Sequence, residues 1–165
     1  MATGQQSGHV VRVNTASRSY DVRVVPGILD SCGQIVRSSA GGERAFIVTD
    51  TNVGPLYAAR VKESLEQEDY VTSGFMFKAG EVSKRAGTWA SCLEAMAEAG
   101  LTRDDVVVAL GGGVAGDLAG FAAASYMRGC SVVQVPTSLL AMVDSSVGGK
   151  TAIDLEAGKN LAGAF

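Results

Sequence analysis

Histidine is almost absent from this chain: His9 is the single one in 165 residues. No hydrolase triad and no two-histidine metal site can be assembled from these residues. Cysteine is scarce and odd in number. Cys32, Cys92 and Cys130 are far apart and form no C-x-x-C pair, so zinc-ribbon and dithiol chemistry are excluded and reduced thiols of a cytoplasmic protein are expected. Cys130, beside Arg128 and Gly129, has no histidine in the sheet-end loops to activate it. Long apolar runs are also missing. Those present, such as 106–110 and 121–124, fall far short of the roughly 18 residues of a membrane span. Residues 1–8 are polar and lack the basic and apolar regions of a signal peptide, and read as a loose leader. Positive charge is not in excess: 14 Lys and Arg face 17 Asp and Glu, a net charge of -3. Nothing general attracts nucleic acid or anionic lipid, so any anion needs a specific pocket.

Glycine is plentiful, with 21 copies, beside 47% hydrophobic and 19% charged residues. With no collagen-like period, that is the balance of a globular chain. Residues 9–14 and 20–25 alternate in the manner of strands around 15–19, which predicts a hairpin ended by Pro26 and Gly27. A short helix is predicted at 27–38, then a strand at 45–49 closed by Asp50. A helix follows at 55–68, with Pro55 at its start and Tyr57, Val61 and Leu65 four apart. Further expectations are a strand at 70–77 and a helix at 83–99, with Trp89, Leu93, Met96 and Ala97 on one face and Gly100 at its end. A strand covered on both faces at 106–110, a helix at 113–127 and a last clear strand at 131–135 complete the pattern. This order implies right-handed crossovers and an α/β fold, a Rossmann-like, mostly parallel sheet with helices on both faces, preceded by the hairpin. Without repeats, linkers or composition shifts, 9–165 reads as one domain. Ligands of such sheets bind beyond the carboxyl ends of the strands, here Asp50, 79–84, 111–113 and 136–138.

Gly111, Gly113 and Gly116 match G-x-G-x-x-G between a strand and a helix, where bare backbone approaches a pyrophosphate and the helix start attracts its charge. A tight turn without a ligand gives the same pattern. The acidic residue of the ordinary dinucleotide fingerprint is also missing, since the next strand ends in Val135, Pro136 and Thr137. Asp117, read as lying in the first helical turn, is favoured there with or without a ligand. Residues 144–151, DSSVGGKT, resemble the phosphate loop of nucleotide hydrolases. Asp144 stands in the first Gly position, however, where its carboxylate would repel phosphate, and no plain strand precedes it. Of five lysines, Lys62, Lys78, Lys84, Lys150 and Lys159, three lie near strand ends or in the last Gly-rich region, which suits an anionic substrate. Glu81 and Lys84 suit either a helix-surface ion pair at i, i+3 or contacts to a ribose.

In order, LGGGVAGDLAGFAAASYMRG, VPTSLLAMVDSSVGGKT and GKNLAGAF resemble the 3-dehydroquinate synthase family of sugar-phosphate cyclases, from Asp50 to Phe165 and most densely after Leu110. The resemblance implies a carbon–oxygen lyase of the shikimate route to aromatic amino acids. Such an enzyme converts 3-deoxy-D-arabino-heptulosonate 7-phosphate to 3-dehydroquinate and phosphate, with a tightly held NAD that takes and returns a hydride. It implies adenosine contacts at Asp50 and Asn52 and ribose contacts along Ala79, Gly80, Glu81, Val82, Ser83 and Lys84. Pyrophosphate and nicotinamide contacts fall at Gly113, Val114, Ala115, Gly116 and Asp117, with hydroxyls from Thr137 and Ser138. Lys150 and Lys159 also line the cofactor pocket. Asp144, Lys150, Asn160 and Arg128 are implied as the catalytic set, Arg128 reaching the neighbouring subunit's substrate phosphate in a homodimer. The Lys150 of VGGKT favours dehydroquinate synthase over related cyclases. Ala152 and Asp154 depart from the frequent Gly and Asn. Family members hold a divalent metal, zinc or cobalt, through one glutamate and two histidines of a following helical domain. No metal ligand is therefore expected here, 9–165 is expected to be the first of two domains, and this polypeptide alone is expected to be inactive. The alternatives are a non-catalytic nucleotide-binding module or a related sugar-phosphate cyclase.

Overall fold

Alternation of valines with polar residues builds the first pair of strands, β1 (His9–Asn14) and β2 (Ser19–Val24). They run antiparallel, with Val11 opposite Val22 and Val13 opposite Tyr20, so these four side chains share one face. On the other face Arg12 donates to Asp21 at 2.8 Å, an exposed pair of small energetic weight. The computed structural model describes residues 8–15 and 19–165. Residues 1–7 of the leader expected at 1–8, and residues 16–18 of the loop expected at 15–19, lie outside the described residues.

Four parallel strands form the central sheet: β3 (Arg44–Asp50), β4 (Val71–Phe77), β5 (Val106–Gly111) and β6 (Ser131–Pro136), in the order β4-β3-β5-β6. Every residue of β5 is buried, as its unbroken apolar run requires. Strand alternation then divides the core. Phe46, Val48, Val107 and Ala109 point to one face, where α3 (Ala86–Glu98) and α4 (Gly113–Ser125) supply Cys92, Met96, Leu118 and Ala122. Ala45, Ile47, Val106, Val108 and Leu110 point to the other, where α1 (Cys32–Ala40) and α2 (Gly54–Glu66) supply Val36, Val61 and Leu65. The layered α/β architecture read from the sequence is the one observed. Among the described residues no helix is long and apolar enough to cross a membrane.

Two polar contacts fasten these layers. The Gly33 N–H donates to Ser64 Oγ at 3.0 Å, and a Cβ on Gly33 would stand 1.9 Å from the Ser64 carbonyl oxygen, so α1 and α2 touch backbone to backbone. Asp105, 2% exposed, accepts from the N–H groups of Glu43 and Arg44 and from the N–H and hydroxyl of Thr102, at 2.7 to 3.0 Å. Burial alone would raise its carboxyl, but these hydrogen bonds outweigh burial and hold it below the ordinary carboxylate value.

Several boundaries differ from expectation. The helix expected at 83–99 begins at Ala86, because Gly80 (φ 115) and Lys84 (ψ 60) break the backbone and leave Glu81–Ser83 as a separate 3-10 turn. Ala97 is exposed; Cys92 and Met96 fill the buried face, and Trp89 stacks on Phe121 at 5.1 Å. The helix α4 stops at Ser125, short of 127, because Tyr126 leaves helical geometry at ψ 124 and Met127 then turns left-handed at φ 49. The strand at 131–135 is not the last. β7 (Thr151–Leu155) and β8 (Gly158–Ala164) form a third, antiparallel sheet. Small and charged residues give it little strand propensity. Packing on α4 supplies the stability instead: a Cβ on Gly120 would come 2.2 Å from Thr151 Cγ2.

Candidate functional site

The carboxyl ends of the four parallel strands share one edge of the sheet, and most of the sequence candidates gather there. Asp50 ends β3, and its Oδ1 accepts the N–H groups of Asn52 at 2.8 Å and Val53 at 3.0 Å, which closes the turn into α2. Asp50 Oδ2 faces β5, 3.7 Å from where a Cβ on Gly111 would be. The Ala79 N–H donates to Thr51 Oγ1 at 3.0 Å, tying the loop after β4 to the same turn.

Next to Asp50 the chain passes through Gly111, extended Gly112 and Gly113 into α4. The first N–H to find a helical carbonyl is that of Gly116, on Gly112 O at 3.0 Å. The N–H groups of Gly113, Val114 and Ala115 therefore point out of the helix start, toward which an anion is drawn. From β6 the Thr137 N–H donates to the Gly111 carbonyl at 2.9 Å, and Ser138 Oγ accepts the Ala141 N–H at 3.3 Å. Ala141–Ser145 follow as one wide helical turn. Ser145 Oγ lies 3.2 Å from the place a Cβ on Gly113 would take, so only glycine leaves this cradle open without crowding. Ser145 was not among the sequence candidates; its one signal was a hydroxyl inside DSSVGGKT.

Beside these loops lies a buried lysine. Lys84 is 5% exposed. Its Nζ makes an ion pair with Asp117 Oδ2 and donates to Asn160 Oδ1 at 2.5 Å. Asp117 is the fifth residue of α4, not part of its first turn, because the helix begins only at Gly113. That offset turns its carboxylate toward Lys84 and away from the helix start. Burial raises the Asp117 carboxyl; the Lys84 hydrogen bond and charge pull it down, Glu81 and Asp154 push it up, and it ends above the ordinary value. Asn160 holds a left-handed backbone, φ 56, and its N–H donates to the buried Asp154 at 2.8 Å. The i, i+3 pair between Glu81 and Lys84 is not formed. With Glu81–Ser83 in a 3-10 turn and Lys84 outside helical geometry, Lys84 points inward while Glu81 meets exposed Lys159 at 3.1 Å. A cleft of about 220 Å³ opens between these two segments, lined by Glu81, Val82, Arg85, Asp154 and Lys159 among others. A larger open groove of about 340 Å³ lies between α2 and β4, and no candidate residue lines it.

Three candidates are not drawn into this cluster. Asp144 lies exposed in the wide turn, and Lys150 lies exposed after the left-handed Gly148 and Gly149. Lys150 precedes a strand, not a helix, so the phosphate-loop reading of DSSVGGKT fails on its structural context. Arg128 is exposed, left-handed at φ 68, and follows the carboxyl end of α4. Thirteen helical residues, about 20 Å, separate that end from the glycine cradle. Burial pushes the thiols up, Cys32 and Cys130 to about 11 and Cys92 to about 12, so none is a ready nucleophile. Among the described residues no group of three or more His, Cys, Asp and Glu is placed to hold a metal.

The family model described as 3-dehydroquinate synthase N-terminal matches residues 74–165. A 3-dehydroquinate synthase of Xanthomonas axonopodis pv. citri is 50% identical over 165 residues, covering 99% of this chain and 44% of that protein. The chain thus spans less than half the length of the curated relatives it matches. Among solved structures, a 2-deoxy-scyllo-inosose synthase complexed with carbaglucose-6-phosphate, NAD+ and Co2+ superposes with a TM-score of 0.84 at 26% identity, over 95% of this chain and 42% of that one. A 2-epi-5-epi-valiolone synthase of Streptomyces hygroscopicus subsp. jinggangensis, with NAD+ and Zn2+ bound, gives a TM-score of 0.69 at 33% identity, over 74% of this chain and 34% of that one.

Proposed function

Because the chain belongs to the 3-dehydroquinate synthase family, we propose that residues 9–165 form the NAD-binding domain of a two-domain lyase. The complete enzyme would convert 3-deoxy-D-arabino-heptulosonate 7-phosphate to 3-dehydroquinate and phosphate. The observation that carries this reading is the buried Lys84, held by Asp117 and Asn160 beside a glycine-lined helix start. A buried ammonium and outward N–H groups, with glycine backbone between them, suit a ligand that carries both a pyrophosphate and hydroxyl-bearing sugars. The Gly113 cradle, which a larger side chain would crowd against Ser145, supports the fit of a dinucleotide.

In this reading Asp50 and Asn52 face the adenosine, and 79–84 with Glu81 and Lys84 face its ribose. Gly113, Val114, Ala115, Gly116 and Asp117 face the pyrophosphate and nicotinamide half, flanked by Thr137 and Ser138, and Lys159 closes over Glu81. NAD supplies a hydride acceptor that can return the hydride. The chain's own residues position and polarise: Asn160 and Lys150 provide donors to anionic oxygens, Asp144 an acceptor for substrate hydroxyls, and Arg128 a guanidinium for a phosphate in a neighbouring subunit of a homodimer. The described residues do not fit a metal centre. A cytoplasmic setting accords with three unpaired cysteines.

The test is titration of the isotope-labelled 165-residue polypeptide with NAD to millimolar concentration, followed by amide chemical shifts. Shifts should concentrate at Asp50, 79–84 and 111–117. Shifts confined to the α2–β4 groove, or none, would reject the reading. The same polypeptide mixed with substrate, NAD and zinc should release no phosphate above background, and brisk turnover would show that nothing beyond these residues is needed.

A further inference from the structure

Asp154 belongs to none of the sequence motifs, yet it stands between the two segments that make the lysine pocket. In β7 the neighbours Ile153 and Asp154 are both buried, so both faces of the strand are covered there, and beside Asp154 the pairing with β8 slips, between Ile153 and Leu155. The side chain ends up in a residue only 3% exposed. Three contacts radiate from it. Its N–H donates to the Lys84 carbonyl at 2.8 Å, and residue 154 bridges in parallel to Arg85, so β7 is stitched to the loop after β4. Its Oδ1 accepts the Asn160 N–H at 2.8 Å. Asn160, in turn, stands at φ 56 and accepts from Lys84 Nζ at 2.5 Å.

A left-handed backbone is unfavourable for most residues with a Cβ; asparagine tolerates it best, and surrounding contacts decide where it is held there. Here the determining contact is the carboxylate of Asp154, which fixes the direction of the Asn160 N–H and thereby aims its side-chain carbonyl at Lys84. We propose that Asp154 is a positioning residue of the cofactor pocket: it holds Asn160 in the left-handed turn that keeps Lys84 in place for the dinucleotide. This rests on the reading of Lys84 as cofactor-facing. What the task requires of position 154 is a hydrogen-bond acceptor of this length, not a negative charge.

Acetylation of lysine amines by a water-soluble reagent, read residue by residue by mass spectrometry, tests this on the 165-residue polypeptide. Lys62 and Lys78 serve as internal references. In Asp154→Ala, Lys84 should acetylate at least about tenfold faster than in the parent protein, as expected when a local contact of roughly 1.4 kcal/mol is lost. Asn160→Gly, which keeps the left-handed backbone but removes Oδ1, should also speed Lys84 labelling with Asp154 intact. Asp154→Asn retains an acceptor and should leave the Lys84 rate within about twofold of the parent. A protected Lys84 in Asp154→Ala, or a release in Asp154→Asn as large as in Asp154→Ala, overturns the proposal. Should Asp154→Ala fail to fold by circular dichroism, hydrogen exchange of the Asn160 amide in Asp154→Asn decides: retained protection supports the proposal and lost protection refutes it. Added NAD should slow Lys84 acetylation further in the parent protein. If NAD has no effect while the variants behave as stated, the dinucleotide reading falls and the positioning of Lys84 by Asp154 stands.

Discussion

Removing the Asp117 carboxylate should cost more than removing its partner. The two side chains are 18% and 6% exposed, with Lys84 the deeper. In Asp117→Ala the Lys84 ammonium stays buried with Asn160 Oδ1 as its acceptor at 2.5 Å. Breaking a buried pair in this way costs about 3 kcal/mol, the low end of its range because Asp117 keeps some solvent. For a domain of this size that is a fall in Tm of roughly 6 to 12 °C. Lys84→Met behaves differently. Both influences that lower the Asp117 carboxyl come from Lys84, so without it burial, Glu81 and Asp154 raise the group unopposed. The carboxyl then takes up a proton at the expense of its charge, and the cost falls to about 1 to 2 kcal/mol. The sign with pH follows. A carboxyl whose folded value lies above its unfolded value binds the proton more tightly when folded. Stability therefore declines as pH rises from the ordinary value, 3.8, through the raised one. The decline should be steeper in Lys84→Met than in the parent and absent from Asp117→Asn. Urea unfolding at several pH values, with the double variant Lys84→Met plus Asp117→Ala, measures the coupling. The double change should cost about 2 kcal/mol less than the sum of the singles. Additive costs, or an Asp117→Ala protein within about 0.5 kcal/mol of the parent, would refute the ion pair as described.

Asp105→Ala leaves four part-buried donors without their acceptor and should destabilise by about 3 kcal/mol in urea unfolding. Because the Asp105 carboxyl is held low, its stabilisation is present above 3.8 and lost as pH falls through its lowered value, so acid should narrow the gap between variant and parent. Gly33→Ala puts a Cβ 1.9 Å from the Ser64 carbonyl oxygen; α1 and α2 must separate, and calorimetry should show a loss of about 2 kcal/mol, whereas an unchanged Tm would contradict the close helix crossing. Gly113→Ala meets Ser145 Oγ at 3.2 Å, which an exposed turn can absorb, so stability should change by less than about 1 kcal/mol while NAD-induced amide shifts at 113–117 require roughly tenfold more ligand. Undiminished NAD shifts in that variant would remove Gly113 from the cofactor cradle.

Much of the scaffold was legible because its signals are local. The continuous run at 106–110 can only be a strand covered on both sides, and β5 is buried along its length. Pro55 and the four-residue spacing of Tyr57, Val61 and Leu65 marked α2 within two residues of its ends. Gly111 and Gly113 before an apolar helical stretch marked the helix start. The β7–β8 hairpin left no such mark: GKNLAGA is rich in small residues and takes its strand form from packing on α4.

The sequence by itself determined the layers, the edge where loops collect and the glycine cradle, since periodicity and backbone freedom act over a few residues. Tertiary structure alone decided the partners within the site. Lys84 could have met Glu81 three positions away, but a 3-10 turn sends it instead to Asp117 on α4 and to Asn160, 76 residues on. It alone showed that Asp154, visible in the sequence only as a departure from the frequent Asn, is buried against Asn160 where the register with β8 slips. Such pairings follow from how α4, β7 and the loop after β4 stack against one another, and no local pattern of residue types encodes that stacking.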